Sequence, residues 1–188
     1  MNTLTPSLSW PMGWLHRLNN GLKTVRRRVA HRQAKAKVTS PSTKHEPILL
    51  SVRASLPVGR TDVVCLAVEG ELNRQTYLSL IETACTHYHA GRRYLLLDLR
   101  QTTQIELSGL FALLYIARLY SGQPLLDPEA GWAELRRGAD FASPALGERV
   151  KLLAPSLAAV TALERASFCR FFTRYPNLEA ALSALPTL

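Results

Sequence analysis

Residues 94–99, Tyr-Leu-Leu-Leu-Asp-Leu, constrain this chain more than any other stretch, because they leave no face for water. An apolar run interrupted by one carboxylate reads as a strand covered on both sides, which implies helices packed on a partly parallel sheet. The flanking sequence repeats the theme. Residues 48–54 (ILLSVRA) and 63–68 (VVCLAV) are apolar or β-branched runs parted by the turn-rich PVGRTD, and read as a hairpin or two neighbouring strands. After GELN, Asn73 is placed to cap a helix over 74–89, whose Tyr77, Leu80, Ile81, Ala84, Cys85 and Tyr88 share one face. Gly91 stands where that helix must stop.

Downstream of residue 99, RQTTQ reads as a polar turn ended by Ile105, with a helix opening near Ser108 and reaching Tyr120. A third unit pairs a strand at 150–154 (VKLLA) with a helix over 156–167. A fourth pairs 169–173 (CRFFT) with a helix over 177–185 capped by Asn177. The order is ββαβαβαβα, an α/β fold with a mixed sheet of about five strands. Residues 122–148 fit neither period and read as a long inserted loop, with a short helix around 129–137.

Charge separates the amino-terminal arm from this body. Residues 1–47 hold nine Lys and Arg against the single acid Glu46, whereas the remaining 141 residues hold 14 basic and 13 acidic side chains. The chain's net charge of +9 is therefore almost entirely that of residues 1–47. Residues 1–31 read as a basic amphipathic helix: Trp14, Leu15, Leu18, Leu22, Val25 and Val29 step by three and four, with Trp10 at the edge and Arg26, Arg27 and Arg28 alongside. Residues 32–47 have a linker composition. Such an arm suits peripheral contact with an anionic membrane through Trp10, Trp14, Leu15, Leu18, Leu22 and Arg26 to Arg28. An organellar targeting peptide, non-specific nucleic-acid binding and a solvated tail are the other readings. No apolar run is long enough to span a bilayer, and no basic stretch precedes the first apolar residues as in a secretory signal, so a cytoplasmic location is expected.

Catalytic chemistry finds little support. His87 and His89 form a pair two residues apart, which a helix points about 200° away from each other, a poor geometry for a metal. Cys65, Cys85 and Cys169 are odd in number and far apart, as expected of buried thiols in a reducing compartment. Asp98 sits at a strand's expected carboxyl end but has no neighbouring His, Lys or second carboxylate to work with. No glycine pattern for nucleotide binding occurs. Neither an enzyme, a metal site nor a cofactor is expected.

The order of elements, centred on YLLLDLRQTTQIELSGLFALL, resembles a STAS domain, the fold of bacterial anti-sigma factor antagonists. In that family an apolar strand ends in Asp, and after a short turn Asp-Ser-small-Gly-Leu opens a helix. Asp98, Gly109 and Leu110 match, and Gly70 to Asn73 resembles the Gly-x-apolar-Asp before the family's first helix. The likeness covers residues 48–187 apart from the 122–148 insertion. It departs at the family's Asp, which falls on Glu106, and at its phosphorylated Ser, which falls on Leu107. Ser108 matches only the following small residue. It is a candidate substitute phosphoacceptor, but a role as helix cap or packing residue is the better reading.

The resemblance implies a non-catalytic regulatory module of signal transduction and transcription, bound to an anti-sigma factor kinase. Its contact would be made by Thr102, Thr103, Gln104, Glu106, Leu107, Ser108, Gly109 and Leu110. With no hydroxyl at Leu107, the usual phosphorylation switch cannot operate there. The alternative is a STAS adaptor subunit of a membrane complex that transports lipids or anions. Because the helix after Leu110 is apolar nearly all round, part of it, including Phe111, Leu114 and Tyr115, is expected to form a partner surface.

Overall fold

A computed structural model describes residues 50–127 and 144–186. The arm at 1–31, the linker at 32–47 and the short helix expected around 129–137 lie outside the described residues. A five-stranded sheet in the order β1-β2-β3-β4-β5 organises the domain. Strand β1 (Ser51–Ser55) runs antiparallel to β2 (Val63–Leu72), with Ser51 opposite Glu69 and Ser55 opposite Cys65, so the first two runs do form a hairpin. Strands β2, β3 (Tyr94–Ile105), β4 (Val150–Leu153) and β5 (Arg174–Tyr175) are mutually parallel. The helices are α1 (Tyr77–His89), α2 (Leu107–Ser121), α3 (Leu157–Arg165) and α4 (Leu178–Ser183).

Leu95, Leu96, Leu97 and Leu99 are wholly buried, as a strand packed on both faces requires. On one face, Leu96 joins Val63, Cys65, Leu153, Ala181 of α4 and Leu185 just beyond it in a compact cluster. Cys65 and Cys85 are buried, and burial pushes the Cys85 thiol up to about 12, while Cys169 is only half-buried. Ser156 caps α3 by accepting the Ala159 N–H (3.1 Å), and Asn177 caps α4 by accepting the Ala180 N–H (2.9 Å). The helix stop expected at Gly91 is present: its φ is +89°, and its N–H closes on the Tyr88 carbonyl at 3.1 Å.

Four sequence expectations are corrected. Strand β2 runs on through Gly70 to Leu72, so α1 begins at Tyr77 rather than at residue 74. Asn73 does not cap that helix. Its side chain accepts the Gln75 N–H (2.9 Å) and makes a turn with Thr76, ahead of the first helical residue. RQTTQ is strand rather than turn, because the prolonged β2 gives it a partner. Finally, the expected strand at 169–173 is a 3-10 turn, Phe168–Phe171, whose two end rings meet edge to face at 5.6 Å, and β5 follows it.

The surface expected on α2 is overturned as well. Phe111, Leu114 and Tyr115 are all buried within this one domain. A helix lying only on a sheet would leave half its circumference to solvent, but α2 is enclosed further. Tyr77 of α1 meets Phe111 at 6.2 Å and Tyr88 meets Tyr120 at 5.2 Å. The 3-10 turn Pro144–Gly147 closes on the far end, where the Ser121 hydroxyl donates to the Leu146 carbonyl (2.9 Å).

Two carboxylates inside the fold give it an acid-sensitive component. Asp62 accepts two bonds from Arg60 (2.9 and 3.0 Å), which hold its carboxyl below the ordinary value against the opposing effect of burial. For Asp98 burial is the largest influence and acts upward, but the bonds and charge of Arg100 together outweigh it. Both groups bind protons more weakly folded than unfolded. Their stabilisation is complete above an unfolded pKa of about 4 and is lost as the pH falls through the folded value. Thermal melts followed by circular dichroism should therefore show Tm dropping below about pH 4, and Asp62→Asn should flatten that acid limb. An acid limb as steep in Asp62→Asn as in the parent would remove Asp62 from this account.

Candidate protein-docking surface

The carboxyl ends of the two long central strands create the site. Strand β3 outruns β4, which stops at Leu153 opposite Asp98, leaving seven further residues of β3. On that flank the start of α3 takes the place of a strand: the Ser156 N–H donates to the Leu99 carbonyl (3.1 Å), and its hydroxyl donates to the Thr102 carbonyl (2.6 Å). On the other flank β3 stays paired with β2 through two irregularities, each inserting one extra residue into β3. Gly70, with φ at +102°, sits between them.

The turn into α2 is a single residue, Glu106, whose N–H donates to the Leu72 carbonyl at 2.8 Å. Glu106 occupies the N-cap position with no side-chain cap bond, which places a carboxylate at the positive end of the helix dipole. Ser108 is the second helical residue, so the cap reading for it is not met. Gly109 lies against the end of β2, where a Cβ would come within 2.7 Å of the Leu72 carbonyl oxygen. The helix can approach this strand only because the side chain is missing.

The residues singled out from sequence divide sharply. Thr103, Gln104, Glu106 and Leu107 are exposed, and Ser108 is half-buried. Thr102, Gly109 and Leu110 are buried, and the Thr102 hydroxyl is tied to the Val68 carbonyl (3.1 Å); Thr102 and Gly109 support the surface, while Leu110 lines the floor of the groove beside it. Leu107 is 46% exposed and lines an open groove of about 920 Å³ whose other wall is α3. That wall consists of Leu157, Ala158, Thr161, Ala162 and Arg165. Leu157 is 83% exposed. Sequence reasoning missed this wall. Its signal is Leu157 itself, a large apolar residue at the first helical position, outside the buried Ala159–Leu163 stripe.

Asp98 is not at a strand end but within β3. Arg100 clasps it with bonds of 2.9, 3.1 and 2.5 Å beside a shallow pocket of about 300 Å³ that Arg53 also lines. Among the described residues no group of three His, Cys, Asp or Glu side chains is placed to hold a metal ion, and no helix is long and apolar enough to cross a membrane.

No protein-family model matches the sequence, and no curated protein sequence matches it. Solved structures do. A crystal structure of a candidate anti-sigma factor antagonist from Thermotoga maritima is similar over 71% of this chain and 93% of its own, at 16% identity and a TM-score of 0.52. A solution structure of the same Thermotoga protein is similar over 77% of this chain and 96% of its own, at 14% identity and a TM-score of 0.50. An anti-sigma factor antagonist from Mycobacterium paratuberculosis is more distant, at 16% identity and a TM-score of 0.47 over 79% of this chain and 98% of its own. At these identities the likeness establishes the fold: the chain has the STAS-like architecture of the anti-sigma factor antagonists, a mixed five-stranded sheet with helices packed on it.

Proposed function

We propose that this domain is a non-catalytic regulatory module that binds a protein partner in the manner of an anti-sigma factor antagonist. The contact is made by Thr103, Gln104, Glu106, Leu107 and the groove beside them. The observation that carries this reading is the pair of exposed leucines, Leu107 and Leu157, which both line the groove at the start of α2 and α3. Large apolar side chains left in water beside a polar turn are what a protein interface buries at its centre. The resemblance places the family's phosphoacceptor at Leu107, so the partner here is not released by phosphorylation at that position. An anti-sigma factor kinase is the partner class the reading favours.

The test is an affinity capture from the native organism with the whole chain as bait and Leu107→Asp as control. Capture of an anti-sigma-type kinase, weakened at least about tenfold by Leu107→Asp, is the expected result. The excess of positive charge in residues 1–47 favours a second reading, a STAS adaptor held at a membrane by its arm. Recovery of transport subunits, with no effect of Leu107→Asp, would replace the first reading with that one.

A further inference from the structure

At the end of the sheet opposite the groove, the β1–β2 hairpin turns tightly, closed by the Arg60 N–H on the Pro57 carbonyl (3.3 Å). Its tip is apolar and stands clear of the fold: Val58 is 101% exposed and Leu56 51%. Hairpin tips ordinarily carry polar residues with Gly, Asn or Asp, and the core gains nothing from these two side chains. Beneath the tip lies a basic collar. The Arg92 guanidinium donates to the Thr61 carbonyl, and the Arg93 and Tyr94 N–H groups donate to the Asp62 carbonyl at 2.7 and 3.0 Å. Arg93 lies over the Tyr88 ring at 5.1 Å and Arg60 over the Tyr94 ring at 5.9 Å. The Asp62 carboxylate, buried, is engaged by Arg60. Arg92 and Arg93 add two further positive charges, while Glu148 and Arg149, whose carbonyl accepts the Leu95 N–H (2.8 Å), carry opposite charges.

We infer that this end of the domain docks on an anionic lipid surface. Leu56 and Val58 enter the interfacial layer, while Arg92 and Arg93 meet the headgroup phosphates. An apolar tip alone would suit a protein, and a basic collar alone would suit nucleic acid. Their juxtaposition, the tip on the β1–β2 turn and the collar on the loop between α1 and β3, matches a surface that is apolar beneath and negatively charged at its rim. The groove at Leu107 lies at the other end of β2, ten residues or about 33 Å away, so lipid and protein contacts do not compete. This inference stands whether or not the proposed function holds.

The full-length chain is sedimented with vesicles of phosphatidylcholine alone or mixed with phosphatidylglycerol. The background carries Arg26→Gln, Arg27→Gln and Arg28→Gln, which remove charge from the arm. A preference for the anionic vesicles should persist in this background. Val58→Asp should lower the bound fraction at least about fivefold, and Arg93→Gln by about fivefold, since one basic residue near such a surface contributes about that factor. Val58 is wholly exposed, so its replacement leaves the fold intact, which an unchanged thermal melt checks. Equal binding to both vesicle types, or Val58→Asp binding as its background does, overturns the inference. Retention on immobilised RNA that is lost in Arg93→Gln but kept in Val58→Asp would overturn it in favour of a nucleic-acid contact.

Discussion

Gly147→Ala should be the most damaging single-methyl change in the described domain, costing about 3 kcal/mol or more, at the upper end of what overpacking inflicts. A Cβ built on Gly147 falls 1.7 Å from the Phe171 carbonyl oxygen and 2.8 Å from its carbonyl carbon. Both neighbours are backbone, so no side-chain rotation relieves the clash, and Pro144–Gly147 must separate from Phe168–Phe171. The loss spreads from there. Leu146 is wholly buried, and its carbonyl holds the Ser121 hydroxyl at the end of α2. Urea unfolding of the two proteins, followed by circular dichroism, measures the difference. A change below about 1 kcal/mol would mean that these two turns part more freely than their packing indicates.

Gly109→Ala is the second large effect, at about 2 kcal/mol of destabilisation. At an exposed helical position the same change would stabilise by up to about 1 kcal/mol, because alanine is the better helix former. Here the new methyl meets the Leu72 carbonyl oxygen at 2.7 Å, the Leu72 Cβ at 2.8 Å and the Ile105 Cγ2 at 2.9 Å. Three close contacts, one of them backbone, outweigh the propensity gain. Leu72 also receives the Glu106 N–H, so backing the helix away strains the turn that presents Leu107. Binding to the captured partner should weaken along with stability. A variant as stable as the parent would mean that α2 is not held against β2 by this contact.

Much of the architecture was legible in the residues, and the failures share a cause. Residues 94–99 announced a strand buried on both faces because six positions with a single carboxylate and no polar alternation admit little else. Asn177 announced its helix because its side chain reaches a backbone N–H left over in the first turn, whereas the cap that Ser156 gives α3 was seen only in the structure. RQTTQ was misread because its composition is that of a turn. Its strand character comes from β2 and from Ser156, which lies 54 residues beyond Thr102, and no local pattern carries that. The extra residues in β3 also break the alternation by which a strand is recognised. The enclosure of α2 escaped for a similar reason, since an all-round apolar helix signals burial without naming its third neighbour. At the candidate site the exposed turn was found from the resemblance, whereas its α3 wall was not, because Leu157 looks like an ordinary helical leucine until its direction is known.

The two ends of the strand order have a consequence for how such domains meet one another. Among the described residues the outermost strands are β1, five residues carrying Arg53 at its centre, and β5, only two residues long. Neither offers the long apolar row of unpaired amides on which a neighbouring backbone could be laid. Continuous sheets running from one molecule into the next are therefore disfavoured, and recognition is left to side chains, whose identities can be altered one at a time without disturbing the ladder beneath them.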